Sequence, residues 1–200
     1  MKFQETPLKD ACVIDIEPVS DERGFFARNW CRSECVSRGL HVDFVQSSIS
    51  FNYLRGTLRG MHFQVAPHQE AKLVRCTRGA LYDVIIDLRP ASSTFEQWTH
   101  VELSAANRRT LFIPVGFAHG FQTLQDDTEV FYEMSLPYSA QHAGGVRWDD
   151  PTFRIDWPLP VSCMSARDLE LPLWQPRERG SDGRRTDMVS APADPAMHGG

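Results

Sequence analysis

Four residues that can move or stabilise protons stand in short apolar segments of the chain: His62, Lys72, His119 and Tyr132. Histidine can act as a base near neutral pH, lysine can stabilise a developing oxyanion, and tyrosine can deliver a proton. In one cleft, this set is suited to abstracting a proton next to a carbonyl group. A ketone α-proton lies roughly 12 pKa units above an imidazole, which is about 16 kcal/mol uphill. Enolate stabilisation must supply the difference, and Lys72 and His119 are the candidates for it.

The spacing of the histidines also raises the question of a bound metal ion. The segment Pro114–His119 resembles the second half of the signature of cupins, a superfamily of jelly-roll barrels. Metal-binding cupins carry His-x-His followed by Glu in the first half, whereas this chain has His62-x-Gln64 with Glu70 further on. One imidazole plus an amide is a poor ligand set for a divalent transition metal. We therefore expect neither a metal ion nor another cofactor.

A group of arginines is suited to binding phosphate. The net charge is −5, so a surface built mainly for nucleic acid or anionic membrane is not expected. Bidentate guanidinium groups near a barrel mouth nevertheless suit a diphosphate, which favours a nucleotide-linked substrate. The chain has no glycine-rich phosphate loop of the Walker or Rossmann type, which argues against ATP chemistry and hydride transfer. The candidate residues are Arg23, Arg55, Arg59 and Arg75.

Short strands are the elements that must position these side chains. Apolar and polar residues alternate from Leu81 to Leu88 with the period of two that is typical of a strand. Similar runs predict about nine strands between Ala11 and Met134, and a helix is predicted only over Arg32–Arg38 and near Ser165–Glu170. This pattern predicts an all-β fold, a cupin-type jelly-roll barrel with a few short helices and the site inside. The strands predicted besides Leu81–Leu88 are Cys12–Ile16, Val45–Phe51, Thr57–Gln64, Lys72–Thr77, Trp98–Leu103, Thr110–Ile113, Phe121–Leu124 and Thr128–Met134.

The composition fits one domain followed by a tail. The chain has 200 residues, of which 42% are hydrophobic, enough for one sizeable core. Residues 175–200 hold hardly a large apolar side chain, so we predict a folded domain at 1–174 and a flexible tail at 175–200. Five scattered cysteines, no secretory signal and no apolar run of roughly 18 residues predict a cytoplasmic protein with reduced thiols.

Several motifs around the candidate residues together resemble those of the dTDP-4-dehydrorhamnose 3,5-epimerase family, metal-free cupins of nucleotide-deoxysugar synthesis. The resemblance extends from about residue 7 to residue 172. It implies an isomerase that inverts C3 and C5 of a nucleotide-linked 4-keto-6-deoxyhexose, of the dTDP-4-dehydro-6-deoxyglucose type, through an enolate. The motifs are Asp21-x-Arg23-Gly24-x-Phe26, Leu58–Gln64, Ala71–Arg75, Gly79–Arg89, Ile113–Phe121 and Trp148-x-Asp150-Pro151.

The resemblance also implies a catalytic role for five residues. His62 is then the base that removes the protons at C3 and C5, and Asp168 orients it. Tyr132 is the acid on the opposite face of the sugar. Lys72 and His119 hold the C4 oxygen as it gains charge.

Substrate binding and assembly are implied in the same way. Arg23 and Arg59 are expected to contact the diphosphate, with Gln46 and Phe26 near the nucleotide. The family also implies a homodimer formed by exchange of N-terminal strands, which places part of one subunit beside its neighbour's site.

Two positions depart from the family pattern and leave alternatives open. Arg28 stands where the family usually has an acid, and Ser48 stands where it usually has an amide. Both bear on which nucleotide and sugar are bound and on whether both carbons are inverted. The alternatives are a C3-only epimerase of another nucleotide deoxysugar, a non-catalytic sugar-nucleotide-binding cupin, and a metal-dependent cupin dioxygenase.

Overall fold

Antiparallel strands account for most of the regular structure in residues 1–40 and 42–175, the part of the chain that the computed structural model describes. Within these two ranges there are thirteen strands, two short α-helices and one 3-10 helix. The prediction of an all-β fold with a few short helices is confirmed. The predicted tail lies outside the described residues, apart from its first residue, Gln175.

The elements follow one another along the chain as a series of short strands interrupted by two helices. The strands are β1 (Lys2–Glu5), β2 (Cys12–Asp15), β3 (Val19–Asp21), β4 (Gly24–Phe26), β5 (Gln46–Asn52), β6 (Leu58–Gln64), β7 (Lys72–Arg78), β8 (Ala80–Asp87), β9 (Trp98–Ser104), β10 (Thr110–Ile113), β11 (Phe117–Thr123), β12 (Thr128–Met134) and β13 (Ala143–Gly145). The α-helices are α1 (Arg32–Ser37) and α2 (Ala166–Leu169), and the 3-10 helix is Ala140–His142.

Two sheets form the barrel. A six-stranded sheet has the order β1-β2-β10-β7-β12-β5, and a five-stranded sheet has the order β13-β6-β11-β8-β9. The core between them includes Val74 and Val130 from the larger sheet and Leu81, Ile85 and Phe121 from the smaller one. Each of these residues alternates with outward-facing neighbours, as the period of two requires.

Segments outside the two sheets cover part of each outer face. Phe153, Trp157 and Trp174 pack over Val84 and Ile86 on the smaller sheet. The larger sheet is covered near β1 and β2 by the segment around α1, which contributes Trp30, Leu40 and Phe44 to a third apolar cluster. Strands β3 and β4 form a separate two-stranded hairpin whose residues are all exposed.

The structure has more strands than the sequence predicts. Strands β10 and β12 begin and end where they were predicted, and β6 begins one residue later. The additional strands β1, β3, β4 and β13 are three or four residues long. Strand β11 begins at Phe117 rather than at Phe121 and is irregular between His119 and Phe121. No helix in residues 1–40 and 42–175 is long and apolar enough to cross a membrane.

Strands β6 and β11 approach each other very closely at two glycines beside the histidines. A Cβ atom on Gly60 would lie 2.5 Å from the Cα of Gly120 and 2.9 Å from the carbonyl oxygen of His119. Gly60 also has a φ of +126°, which disfavours any side chain. Both constraints keep position 60 free of a side chain where the two strands meet.

We expect Gly60→Ala to destabilise the protein much more than Gly24→Ala, the matched control. Gly24 has a similar φ of +131°, but a Cβ there would meet nothing within 4 Å. The difference between the two variants therefore isolates the steric clash, which we expect to cost about 2 kcal/mol or more in the free energy of unfolding. Urea unfolding of both variants measures it, and equal losses would contradict the close approach.

Candidate active site

His62 and His119 lie directly opposite each other on the adjacent strands β6 and β11. Both side chains belong to the five-stranded sheet, and the side chain of His62 is 41% exposed while that of His119 is 12% exposed. The structure therefore brings two of the predicted site residues together. Each imidazole is hydrogen-bonded to its own buried aspartate.

The first pair is His62 and Asp168. Nε2 of His62 lies 2.7 Å from Oδ1 of Asp168, a residue that is only 4% exposed. The other carboxylate oxygen, Oδ2, accepts a hydrogen bond of 3.1 Å from the backbone N–H of Gly60. Both oxygens of the buried carboxylate are thus satisfied, as burial of a charge demands.

The pKa of Asp168 reflects a competition in which hydrogen bonding wins. Burial of the carboxyl group acts to raise its pKa, but the hydrogen bond and charge of His62 and the N–H of Gly60 hold the pKa below the usual aspartate range. Asp168 is therefore a carboxylate at neutral pH. It favours the His62 tautomer with the proton on Nε2.

Helix α2 brings Asp168 to this place. Ser165 is the N-cap residue, and its Oγ accepts a hydrogen bond of 3.1 Å from the backbone N–H of Asp168. The segment before the helix is joined to the start of β6 by a bridge between Cys163 and Thr57. Ser165 thus caps the helix, and the side chain of Asp168 is left free for His62.

The second pair is His119 and Asp83, which lies on β8. Nε2 of His119 is 2.5 Å from Oδ1 of Asp83, and Asp83 is fully buried. Oδ2 of Asp83 has no hydrogen-bond partner among the described residues. Sequence reasoning did not single out Asp83, although an acid in the apolar row of Leu81 and Ile85 is a usable signal.

Lys72 lies at the start of β7 in the opposite sheet and is paired with Glu70. The Nζ atom of Lys72 is 3.0 Å from Oε1 of Glu70, and both side chains are largely buried. The other oxygen of Glu70, Oε2, accepts a hydrogen bond of 2.8 Å from Nε2 of Gln64. Gln64 and Glu70 are therefore hydrogen-bonded to each other. They stand where a metal-binding cupin would have ligands.

Tyr132 lies on β12, directly opposite Ser48 on β5 and Val74 on β7. Burial raises the pKa of its phenol, and the neighbouring Ser48 and the charge of Arg59 only partly oppose this. The phenol therefore stays protonated at neutral pH. This is the protonation state that a proton donor needs.

Two of the predicted binding residues are held near this group. Nε of Arg59 donates a hydrogen bond of 2.7 Å to Oδ1 of the buried Asn52. Oε1 of Gln46 accepts a hydrogen bond of 3.0 Å from the backbone N–H of Tyr138. Tyr138 is an exposed aromatic residue whose hydroxyl accepts a hydrogen bond of 3.1 Å from Arg167.

The remaining predicted binding residues, Arg23 and Phe26, lie on the separate hairpin. Arg23 is paired with Asp21 across the turn and its side chain is 82% exposed, and Phe26 is 78% exposed. The structure does not bring them into contact with His62. Arg28, which stands where the family usually has an acid, forms an ion pair of 2.5 Å with Glu34. Glu34 also binds the N-terminal amino group.

The four predicted phosphate-binding arginines do not form one cluster. Arg55 is exposed and donates to the carbonyl oxygen of Leu124. Arg75 faces away from the core, because its neighbours Val74 and Cys76 on β7 point inward. Only Arg59 lies close enough to Tyr132 to influence its titration.

Comparison with known proteins identifies the family. A family model described as dTDP-4-dehydrorhamnose 3,5-epimerase matches residues 5–176. The chain belongs to the dTDP-4-dehydrorhamnose 3,5-epimerase family. A curated relative of that name from Sinorhizobium fredii is 41% identical over 177 residues, which cover 86% of this chain and 89% of the relative. The predicted resemblance and isomerase class are confirmed.

Solved structures of a 3,5-epimerase and of a 3'-monoepimerase have the same fold as this chain. The dTDP-4-dehydrorhamnose 3,5-epimerase of Bacillus anthracis, with TDP and PPi bound, has a TM-score of 0.84 and 42% identity, covering 86% of this chain and 99% of that chain. A 3'-monoepimerase from Streptomyces bikiniensis in complex with dTDP-quinovose has a TM-score of 0.75 and 30% identity, covering 85% of this chain and 86% of that chain. These similarities confirm the predicted cupin-type barrel.

The Asp168→Asn variant tests whether the negative charge of Asp168 stabilises the folded protein. Because the pKa of Asp168 is lower in the folded chain than in the unfolded chain, its charge stabilises the fold above about pH 4. This stability is lost as the pH falls through the folded pKa. We expect the variant to be less stable by about 1–3 kcal/mol at pH 5, with the difference shrinking toward pH 3.

Urea unfolding at pH 5, 4 and 3 measures this difference. Asp43→Asn is the control, because Asp43 pairs with Arg32 at the surface and both side chains are about 70% exposed. We expect a difference near zero for the control at every pH. A gap between wild type and Asp168→Asn that stays constant from pH 5 to pH 3 would contradict the lowered pKa.

Proposed function

We propose that this chain inverts C3 and C5 of a dTDP-linked 4-keto-6-deoxyhexose by removing each proton from one face and returning one to the other. The observation that carries the proposal is the His62–Asp168 pair, with a distance of 2.7 Å, in a chain of the epimerase family. The reaction named for the relatives, and the TDP bound by the Bacillus anthracis structure, support this substrate class. The roles of the individual residues follow from their contacts.

His62 is the base. Its Nε2 is bonded to the carboxylate of Asp168, so the lone pair that can take a proton is on Nδ1. Asp168 holds the ring in one orientation and stabilises the imidazolium that forms when the proton is taken. The partial exposure of the ring leaves room for the sugar to approach.

Lys72 and His119 stabilise the enolate. An ammonium group about 4 Å from a developing oxyanion contributes about 4 kcal/mol at an effective dielectric constant of 20, or roughly a thousandfold in the equilibrium. His119 lies on the opposite side of the barrel interior, and the buried carboxylate of Asp83 binds its Nε2 and fixes its ring. Its other nitrogen, Nδ1, donates to the C4 oxygen when the ring carries both protons. Two such donors remove much of the uphill cost of enolate formation.

Tyr132 is the acid that returns the proton on the opposite face. It lies on β12, in the sheet opposite the one that carries His62. Its burial keeps the phenol protonated, so the proton is available when the enolate forms. After each inversion the phenol must be reprotonated from solvent.

The diphosphate and nucleotide are bound by Arg59, Gln46, Arg23 and Phe26, with the last two supplied by a second copy of the chain in a homodimer formed by exchange of N-terminal strands. The exposure of the β3–β4 hairpin supports this assembly, because a hairpin with Phe26 and Val19 uncovered has a large apolar surface to bury. On the outer face of the larger sheet, Ile49 is also exposed, beside the half-buried Phe131 and Arg75.

The cellular setting that we propose is the cytoplasm, with residues 1–174 as the catalytic domain. The five cysteines support it, because all of them are free thiols and two of them, Cys35 and Cys76, are buried. Reduced thiols are the usual state in that compartment.

A second candidate is inversion at C3 alone. The similarity to the 3'-monoepimerase favours it, as does Ser48, which faces the predicted acid Tyr132 where the family usually has an amide. A small change in the position of the sugar decides which proton His62 reaches. The site residues have the same roles in both reactions.

Proton NMR in deuterated water with the 4-keto sugar nucleotide tests the roles of the two proton-transfer residues. We expect His62→Ala to abolish deuterium exchange at C3 and C5, because no base remains. We expect Tyr132→Phe to retain exchange while inversion slows by about a hundredfold or more, because the opposite-face donor is lost. Wild-type exchange at C3 but never at C5 would identify the C3-only reaction, and unchanged turnover in His62→Ala would defeat the mechanism.

Mixing two inactive variants tests the exchanged hairpin. If Arg23 serves the site of the partner, a dimer of one Arg23→Ala chain and one His62→Ala chain contains one intact site. We therefore expect refolding of the two inactive variants together to restore up to about one quarter of wild-type activity, by the statistics of random pairing. Each variant refolded alone is the control. No recovery, in a mixture shown to contain mixed dimers, would contradict the exchange.

A further inference from the structure

Lys72 is a buried cation with one charged partner among the described residues. Its side chain is 12% exposed, and Nζ lies 3.0 Å from Oε1 of Glu70, whose side chain is 4% exposed. A buried ammonium group without a partner is strongly unfavourable, because its lost hydration is not replaced. Glu70 is thus the residue that allows the charged form of Lys72 to lie inside the barrel.

Glu70 is itself held in a fixed position. Its second oxygen accepts a hydrogen bond of 2.8 Å from Nε2 of Gln64, and the same nitrogen lies 3.0 Å from the carbonyl oxygen of His68. Oε1 of Gln64 accepts a hydrogen bond of 2.5 Å from the backbone N–H of Ser139. Every polar atom of the Gln64 and Glu70 side chains is therefore engaged, so the carboxylate has little freedom to turn.

This arrangement answers a problem that a lysine poses as an oxyanion donor. Its side chain has four rotatable bonds, and a loosely held ammonium group loses much of its effect on a charge that forms at one point. One N–H of the ammonium is directed to Glu70, and two remain for another acceptor. A fixed anion behind the lysine converts a flexible cation into an oriented one.

We propose that Glu70 is the positioning residue for Lys72: its buried carboxylate, fixed by Gln64, holds the ammonium group where the C4 oxygen of the substrate gains charge. The inference rests on the proposed function, because it assigns Lys72 to that oxygen. Glu70 does not touch the substrate and acts only through Lys72. The loss of its charge must therefore have no effect on catalysis once the lysine is gone.

A double-mutant cycle of Glu70→Gln and Lys72→Met measures this dependence. We expect Glu70→Gln to lower kcat by about 30-fold in the chain that retains Lys72, with KM changed less than about threefold, because the nucleotide contacts are untouched. In the Lys72→Met chain we expect the same substitution to change kcat by less than about twofold. Glu70→Asp, which keeps the charge, should recover kcat to within about fivefold of wild type.

Two controls separate positioning from a general loss of structure. Thermal unfolding of each variant establishes that it is folded at the assay temperature. Glu102→Gln makes the same substitution on the exposed face of β9 and should leave kcat within about twofold of wild type. The rate to follow is deuterium uptake by the sugar, which reports the step that Lys72 assists.

The outcomes distinguish this inference from the proposed function. A wild-type chain that catalyses no exchange contradicts both. Wild-type exchange with an equal loss from Glu70→Gln in both backgrounds shows a merely structural role and overturns the inference alone. No loss from Glu70→Gln, or no rescue by Glu70→Asp in a folded variant, overturns it as well.

Discussion

The hydrogen bond between His62 and Asp168 joins parts of the chain that are 106 positions apart, and the architecture of the site depends on it. A carboxylate that is almost completely buried must have partners for both oxygens. It finds them in the imidazole of His62 and in the backbone N–H of Gly60, the residue at which β6 closely approaches β11. The ring is oriented because the carboxylate cannot be left unpaired.

The pairing of a buried acid with a functional nitrogen recurs around the barrel interior, although only one oxygen of Asp83 has a partner among the described residues. Asp83 holds His119, and Glu70 holds Lys72, so each functional nitrogen is bonded to its own buried acid. Three buried acids are thus each paired with a nitrogen-bearing side chain of the proposed site. The acids come from β8, the segment just before β7, and α2, so different parts of the chain contribute to one preorganised electrostatic environment.

Whether a strand can be predicted from the sequence depends on how far apart in sequence the interactions are that stabilise it. Alternation along β8, β10 and β12 is local, and these strands were predicted correctly. Strand β13 contains Ala143, Gly144 and Gly145, which have little strand propensity, and it exists because it pairs with β6. The two strands of the exposed hairpin are too short for periodicity to reveal. The partner of β13 is thus distant in sequence, whereas β3 and β4 pair with each other across a tight turn.

The site shows the same division. His62 and His119 stand in recognisable motifs, and the resemblance to the family indicated Asp168. The pairing of Asp83 with His119 and that of Glu70 with Lys72 are decided by which strands become neighbours and by the direction of each side chain. Local sequence patterns reveal neither pairing. The sequence indicates Gln64 only as the replacement of a metal ligand, whereas in the structure its amide donates a hydrogen bond to Glu70.

Determining which ring nitrogen of His62 carries the proton in the resting protein is the most direct test of the account. The proposed mechanism requires Nδ1 to be unprotonated, because that atom removes the proton from the sugar. Nitrogen-15 NMR of labelled imidazole groups, assigned by comparison with His62→Ala, distinguishes the two neutral forms. The account predicts that His62 carries its proton on Nε2, and that Asp168→Asn shifts this signal. A neutral ring protonated on Nδ1, or a His62 signal that does not respond to Asp168→Asn, would contradict it.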